Sequence, residues 1–303
     1  MRVIVTGCNG RLGSACAETL LAAGHAVAGI DCAPASGRPH PVIVDDLLNP
    51  YAIHRAFDLF GGRVDAVVHS ANHINSLVAP PETVLRENQA MNASVFAASF
   101  GAGVRRVVFV SSIQAMLGGV ESDGSWCARV PPVLPLSEAM APRPLNVYGL
   151  SKVLAERALD GLCDAGSFGA RGDTGPMSAV SVRLPYVLNR EAFLANAKRK
   201  PPSEFVWGGC EAFAYIARED AAEAVRLAVE AEVVGHEVVW CAAPDPRTPE
   251  GVAELAERFY ASVAGIEACV ARGSFVDCSK AERVLGWRAS RLLREERGAP
   301  GRV

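Results

Sequence analysis

Short apolar runs alternate with helical patterns through the first two-thirds of the chain, and this alternation constrains the fold most. The runs are continuously apolar, as is typical of strands buried on both faces of a parallel sheet. Each is followed by a segment that can supply a crossover connection. The sequence therefore predicts an α/β fold with a doubly wound parallel sheet. Strands are predicted at 2–7, 26–31, 41–46, 64–71, 105–112 and 179–187, with helices at 11–24, 52–62, 81–103 and from about 146.

The same pattern divides the chain into two parts. Residues 1–184 and parts of 214–245 are predicted to form the sheet domain, and 185–213 with 246–303 a small C-terminal substrate lobe. Two stretches interrupt the rhythm, a Pro- and Gly-rich segment at 118–144 and a predicted mobile loop at 164–177. Because long loops inside compact domains are usually functional or disordered, the first is a candidate lid.

Composition excludes several classes of partner. The net charge is −3 with scattered basic residues, which argues against nucleic acid. No apolar run reaches the about 18 to 20 residues that span a bilayer, and the start, MRVIVTG, reads as a strand rather than a signal peptide. Nine cysteines without a Cys-x-x-Cys suit a reducing cytoplasm. His69 and His73 are predicted to straddle a strand end, so no metal site is expected.

The stretch VTGCNGRLG places Gly7, Gly10 and Gly13 between the first predicted strand and the first helix. In such a turn one glycine makes the tight bend, one lets the backbone approach a pyrophosphate, and one lets helix and strand pack closely. The helix N-terminus then offers free N–H groups and a partial positive charge to phosphate. The sequence therefore predicts a dinucleotide site in a Rossmann fold.

The acidic residue after the second predicted strand bears on which dinucleotide binds. Asp31 lies eighteen residues after Gly13, where a carboxylate can accept hydrogen bonds from ribose hydroxyls and repel a 2′-phosphate. The residues that follow, CAPAS, include no Arg or Lys, and Arg38 lies seven residues on in a turn rich in Pro and Gly. NAD is therefore predicted rather than NADP. Asp46 and Leu47 follow the third strand, where the acidic side chain of Asp46 and the backbone N–H of Leu47 are predicted to meet the adenine ring.

The stretch VYGLSK places Tyr148 and Lys152 one helical turn apart. One interpretation is a solvated lysine beside a half-buried tyrosine. The other is catalytic, although a tyrosine with its ordinary pKa, near 10, is a poor base at neutral pH. A nearby ammonium and the positive charge of oxidised nicotinamide would stabilise the phenolate and lower that pKa. Tyr148 is then predicted to take a proton from a substrate hydroxyl.

Together these motifs resemble the extended short-chain dehydrogenase/reductase family, also called NAD-dependent epimerases/dehydratases. VVHSAN, VVFVSS, YGLSK and VRLPYV support the resemblance, and the last third is most similar to uronate dehydrogenases through HEVVWCAAPDP and SKAERVLGW. The resemblance implies that Lys152 also holds the nicotinamide ribose, that Asn88 supports the site, and that a serine orients the reacting oxygen. Ser111 and Ser112 compete for that role, and the family pattern favours Ser112. Further implied cofactor contacts are Asn9, Arg11, Leu12, Ser70, Ala71, Asn88 and Pro185.

The expected reaction is NAD-dependent hydride transfer to or from a secondary alcohol or ketone of a small sugar-like or polyol-like substrate. Dehydratases of the resembled family need an acid beside the serine, but Ile113 and Gln114 follow here. The span from Arg183 to Tyr215 is brief for a lobe that grips a nucleoside diphosphate sugar. A sugar epimerase with retained NAD is the alternative, and a non-catalytic dinucleotide-binding protein the remote one. The resemblance also implies a homodimer.

Overall fold

The computed structural model describes residues 1–74, 77–118, 130–168, 176–198 and 210–298. The strands are β1 (Arg2–Thr6), β2 (Ala26–Asp31), β3 (Val42–Val44), β4 (Ala66–His69), β5 (Arg106–Ser112), β6 (Ser178–Leu184), β7 (Tyr186–Leu188), β8 (Tyr215–Ala217) and β9 (His236–Trp240). Seven of them form one parallel sheet in the order β3-β2-β1-β4-β5-β6-β9. The remaining two, β7 and β8, form a separate parallel pair. The predicted doubly wound parallel sheet is confirmed.

Helices cover both faces of the sheet, which is why its strands are apolar throughout. They are α1 (Arg11–Ala22), α2 (Ala52–Asp58), α3 (Pro81–Gly101), α4 (Val147–Phe168), α5 (Arg190–Ala197), α6 (Arg218–Glu230), α7 (Val252–Tyr260), α8 (Ile266–Arg272), α9 (Ser279–Leu285) and α10 (Leu293–Gly298). Successive strand residues point to opposite faces. Val3 and Val5 pack with α1 and α6, whereas Ile4 packs with α2, α3 and α4.

Several predicted bounds differ in the structure. The helix predicted over 52–62 ends at Asp58, and the strands predicted over 41–46 and 64–71 shorten to Val42–Val44 and Ala66–His69. The strand predicted over 179–187 ends at Leu184, and β7 joins the small sheet, because Pro185 lacks the N–H that a continuing ladder requires. The loop predicted from residue 164 was wrong at its start, since α4 continues to Phe168. Gly161 lies within this helix, where a single glycine lowers helical propensity without ending the helix. Residues 169–175 lie outside the described residues.

The described end of the predicted 118–144 segment packs under the C-terminal part of the chain. Leu134 and Leu136 are buried, and their N–H groups donate to the carbonyls of Ala264 and Phe275. Residues 119–129 lie outside the described residues, so the lid stays a prediction, as do the two-part domain boundaries. Further along, Trp287 Nε1 donates to the carbonyl of Asp220 at 3.0 Å and ties the C-terminal end to α6.

No helix in the described part of the chain combines the length and apolar character needed to cross a bilayer. The eight cysteines within the described ranges are all free thiols. The same ranges contain no cluster of three or more His, Cys, Asp or Glu side chains arranged to hold a metal ion. His69 and His73 each have other partners, because His69 contacts Thr6 and Asn92, and His73 contacts Glu87.

Candidate active site

A cleft of about 530 Å³ opens at the carboxyl ends of the central strands. The chain leaves β1 toward β2 on one side and returns to β4 on the other, so the cleft lies where the strand order reverses. Open α/β sheets bind ligands at this switch point. Asn9, Leu47 and Asn88 are predicted site residues outside its lining. The predicted residues that line the cleft are Gly7, Gly10, Arg11, Leu12, Gly13, Asp31, Asp46, Ser70, Ala71, Ser112, Tyr148, Lys152 and Pro185.

The glycine-rich loop leads directly into the N-terminus of α1. A Cβ atom at Gly13 would lie 2.1 Å from the carbonyl oxygen of Gly7, so only glycine permits this packing. Gly10 closes the turn by donating its N–H to the same carbonyl at 3.0 Å. The first turn of α1 contains no acidic residue to repel an anion. The loop and helix end therefore fit the pyrophosphate of a dinucleotide.

Arg38 lies close to Asp31, at the site predicted for the adenosine ribose, although seven residues separate the two in the sequence. Both oxygens of Asp31 accept backbone N–H groups at 2.9 Å, one from Asn9 and one from Ala33. The loop after β2 returns Arg38 to the same place, where its Nε donates to Asn9 Oδ1 at 3.0 Å. Glu18 lies 3.9 Å from the same guanidinium. Asp31 and Arg38 thus act in opposite directions on a 2′-phosphate.

We expect wild-type protein to bind NAD more tightly than NADP, because Asp31 lies in the cleft and Arg38 is engaged by Asn9. Removing the repulsive carboxylate with Asp31→Ala should shift the ratio of the two dissociation constants toward NADP by at least about tenfold. Adding Arg38→Ala in that background should reverse most of the shift. Calorimetric titration with both dinucleotides checks this. Equal NAD and NADP affinities for the wild type would refute the predicted preference.

At the adenine end, the turn after β3 divides its side chains between the core and the cleft. The side chain of Leu47 is buried in the core beneath the sheet, and Leu48 lines the cleft instead. Asp46 does line the cleft, and its Oδ1 accepts the N–H of Leu48 at 2.9 Å. The contacts of the Asp46 side chain and the Leu47 N–H with the adenine ring stay predictions.

Close packing between α4 and the turn after β5 brings the predicted catalytic hydroxyls together. A Cβ atom at Gly149 would lie 2.1 Å from the carbonyl oxygen of Gln114, so glycine lets the two backbones touch. The Ser112 side chain lies close enough to the Tyr148 hydroxyl to lower the pKa of Tyr148. Ser111 also reaches the cleft wall, but its hydroxyl donates to Glu156 at 2.7 Å. This geometry favours Ser112 over Ser111 as the group that orients a substrate oxygen.

The pKa of Tyr148 moves in the opposite direction from the one expected. Burial raises it to about 12; the hydrogen bond from Ser112 lowers it, and the nearby charge of Glu211 raises it. Burial also lowers the pKa of Lys152 to about 7, although the charge of Glu156 opposes the change. Near neutral pH Lys152 is thus only partly charged. In the protein alone, desolvation outweighs the stabilisation that this lysine was expected to give the phenolate.

Lys152 has a partner that the sequence analysis missed. Its Nζ donates to the carbonyl of Val110 and to Asn72 Oδ1, both at 2.8 Å, and lies 4.6 Å from the ring centre of Phe109. Asn72 is the last residue of the VVHSAN motif, and it lines the cleft. Its position after β4, at the carboxyl end of a parallel strand, indicates a site residue, but only the fold shows that it contacts Lys152 on α4.

Asn88 lies behind the cleft and acts on its wall. Its Oδ1 accepts the N–H of His73 at 2.8 Å, and its Nδ2 donates to the His73 carbonyl and to Ser151 Oγ, both at 3.1 Å. It therefore ties the loop after β4 to α4. This contact set agrees with the supporting role that the family resemblance implies for Asn88, and its contact with the cofactor stays a prediction.

The structure also brings an acid into contact with Gln114, two residues after the predicted catalytic serine. Gln114 Nε2 donates to Glu211 Oε1 at 3.4 Å, and Gln114 N donates to Ser112 Oγ at 3.2 Å. Glu211 is buried, and burial raises its pKa, while the charge of Arg247 opposes the change. Among the residues that directly follow Ser112, Ile113 and Gln114, there is no acid. Glu211 follows almost a hundred residues later and could not be found from spacing.

The fold and the cleft define a dinucleotide-binding enzyme of the extended short-chain dehydrogenase/reductase type. The model of the NAD dependent epimerase/dehydratase family matches residues 3–241. UDP-glucose 4-epimerase of Azospirillum brasilense is 32% identical over 165 residues, which are 52% of this chain and 43% of that enzyme. The chain thus covers less than half the length of this curated relative.

Solved structures show the same fold at low sequence identity. One is a short-chain dehydrogenase/reductase superfamily protein from Agrobacterium tumefaciens with bound NAD, with a TM-score of 0.68 and 20% identity, covering 98% of this chain and 96% of that one. Another is a mutated uronate dehydrogenase, with a TM-score of 0.62 and 20% identity over 97% and 84% of the two chains. The chain belongs to the NAD-dependent epimerase/dehydratase family. This confirms the predicted resemblance, the predicted enzyme class and the predicted cofactor, NAD.

Proposed function

We propose that this protein is an oxidoreductase that interconverts a secondary alcohol and a ketone on a small sugar-like or polyol-like substrate. The placement of Ser112, Tyr148 and Lys152 in the cleft that also contains the glycine-rich loop supports this most. NAD, when bound, supplies hydride acceptance and donation. The chain's own residues supply proton transfer, orientation of the reacting oxygen and the contacts that hold the dinucleotide.

Tyr148 is the proposed proton-transfer group, and Ser112 the group that orients the substrate oxygen. With its pKa raised to about 12, Tyr148 is protonated at neutral pH and suited to donate to a carbonyl oxygen. Oxidation of an alcohol needs the phenolate, so that direction depends on added positive charge near the ring. Lys152, which lies 5.4 Å from the centre of the Tyr148 ring, is the protein's source of that charge.

An epimerase that retains NAD is the second candidate. The curated relative from Azospirillum brasilense is a UDP-glucose 4-epimerase, which favours this alternative, although the match spans 43% of that enzyme. The short span between Arg183 and Tyr215 favours a smaller substrate and hence the dehydrogenase. Membership in an enzyme family argues against the non-catalytic alternative.

The two candidates differ in how NADH accumulates. A dehydrogenase given substrate and excess NAD should form NADH in proportion to product, because its cofactor exchanges each cycle. An epimerase should form at most one equivalent per active site and yield a stereoisomer of equal mass. A panel of sugars, sugar acids, polyols and nucleotide sugars, followed by NADH absorbance and mass spectrometry, distinguishes them. If the protein keeps NAD through gel filtration and then turns over substrate without added cofactor, the result would decide against the dehydrogenase.

The proposal also includes a homodimeric assembly and a cytoplasmic location. Leu150 and Leu154 lie one turn apart on α4 and are 37% and 42% exposed, which supports a homodimer formed through α3 and α4. The free thiols in the described ranges support a reducing cytoplasm. The predicted partners are therefore a small-molecule substrate and a second copy of the chain, without nucleic acid or membrane.

A further inference from the structure

A continuous chain of hydrogen bonds runs from the strand before the glycine-rich loop to Lys152. Thr6 Oγ1 lies 2.7 Å from His69 Nδ1, and His69 Nε2 lies 2.9 Å from Asn92 Oδ1. Asn72 Nδ2 donates to the same Asn92 oxygen at 3.0 Å. Asn72 Oδ1 then accepts from Lys152 Nζ at 2.8 Å. Asn72 lines the cleft, and the other members of this hydrogen-bond series are buried: Thr6, His69, Asn92 and Lys152.

The lysine sets the direction of every bond in this chain. Lys152 can only donate, so Asn72 must present its oxygen to Nζ and its NH₂ group to Asn92. Asn92 therefore accepts through Oδ1, and His69 must carry its ring proton on Nε2. Burial and the Lys152 charge lower the pKa of His69 to about 3, so its ring is neutral and Nδ1 accepts the Thr6 hydroxyl proton. Each amide and the ring thus has one orientation.

We infer that Asn72 is a positioning residue that favours the ammonium form of Lys152 and aims its Nζ at the cofactor ribose. The inference rests on the proposed role of Lys152 in cofactor binding. A buried ammonium needs an acceptor for each N–H, and Lys152 has two in the described protein, Val110 O and Asn72 Oδ1. The third N–H is left for the cleft. Of these two acceptors only Asn72 Oδ1 belongs to a side chain, so only this acceptor can be removed by substitution.

Few other charges compete with Asn72 at this point. Glu156, one turn further along α4, raises the pKa of Lys152, and its carboxylate is already engaged by Arg183 and Ser111. His69 on β4 is neutral, and Tyr148 on α4 is a neutral phenol near pH 7. Removing the amide oxygen should therefore favour the neutral amine, whereas a carboxylate in its place should favour the ammonium.

Dissociation constants for NAD, measured by calorimetry across pH, test this without any substrate. Because the pKa of Lys152 is about 7, wild-type affinity should fall as pH rises through that value. Asn72→Ala should bind NAD about tenfold more weakly and move the midpoint to lower pH. Asn72→Asp should move the midpoint up by about one unit. Gln89→Ala is the matched control, because Gln89 on α3 also hydrogen-bonds α4 but donates to Ser151 O rather than contacting Lys152.

The opposite shifts of the two Asn72 variants separate positioning from general loosening of the fold. Wild-type profiles for both variants would overturn the inference, and so would midpoint shifts in the same direction. Lys152→Ala separates the inference from the proposal on which it rests. If that variant binds NAD as the wild type does, the proposed role of Lys152 fails. If it binds weakly while both Asn72 variants behave normally, only the role of Asn72 fails.

Discussion

Tyr148→Phe is expected to lower turnover by about 10² to 10⁴-fold, the usual contribution of a positioned proton-transfer group. The ring and its packing stay in place, so the fold and NAD affinity should change little. Turnover of the substrate identified by the NADH assay, together with NAD titration, measures both effects. Tyr51→Phe serves as the control, because Tyr51 is 73% exposed and lies outside the cleft lining. Full activity of the Tyr148→Phe variant would remove Tyr148 from the mechanism.

The direction of the reaction should respond to pH in a way that identifies the same group. The Tyr148 pKa is raised to about 12, so the phenolate needed for oxidation becomes more populated as pH rises. With NAD kept saturating at each pH, turnover in the oxidative direction should therefore rise toward alkaline pH, and turnover in the reductive direction, which needs the phenol, should not. The alkaline rise should disappear in Tyr148→Phe. An unchanged profile in that variant would assign the rise to another group.

Glu156→Gln is expected to lower the free energy of unfolding by about 3 to 5 kcal/mol, because it leaves the Arg183 charge buried without its counterion. The Arg183 Nε and Nη2 donate to the two oxygens of Glu156 at 3.0 and 2.7 Å. Both side chains are almost fully buried, at 4% and 5% exposure. Equilibrium denaturation by urea, followed by circular dichroism, gives the change in midpoint and slope.

Two control variants separate the buried charge from a general effect of substitution on α4. Arg157→Ala removes an exposed pair with Asp160, 3.0 Å apart, and should change the free energy of unfolding by no more than about 0.5 kcal/mol. Replacing both Glu156 and Arg183 with methionine should recover most of the loss, since no unpaired charge then remains. A Glu156→Gln variant as stable as Arg157→Ala would contradict the argument.

Local patterns determined the parts of this protein that depend on short stretches of chain. Continuous apolar runs predicted the parallel sheet, because strands covered on both faces need no polar alternation. The glycine spacing in VTGCNGRLG predicted the loop at the switch point, where Gly13 must pack against Gly7. The Tyr148–Lys152 spacing placed both side chains on one face of α4. In each case the physical requirement lies within a few residues, so the sequence states it directly.

Only the tertiary structure decided which distant groups meet these residues and how their proton affinities change. Arg38 reaches Asn9 because a loop folds back, and Glu211 reaches Gln114 from a separate part of the chain. Asn72 meets Lys152 only because the end of β4 and the start of α4 lie at the same edge of the sheet. The raised pKa of Tyr148 has the same origin, since burial is a property of the packed molecule. Contacts between segments far apart in sequence have no local period, so no local pattern could predict them.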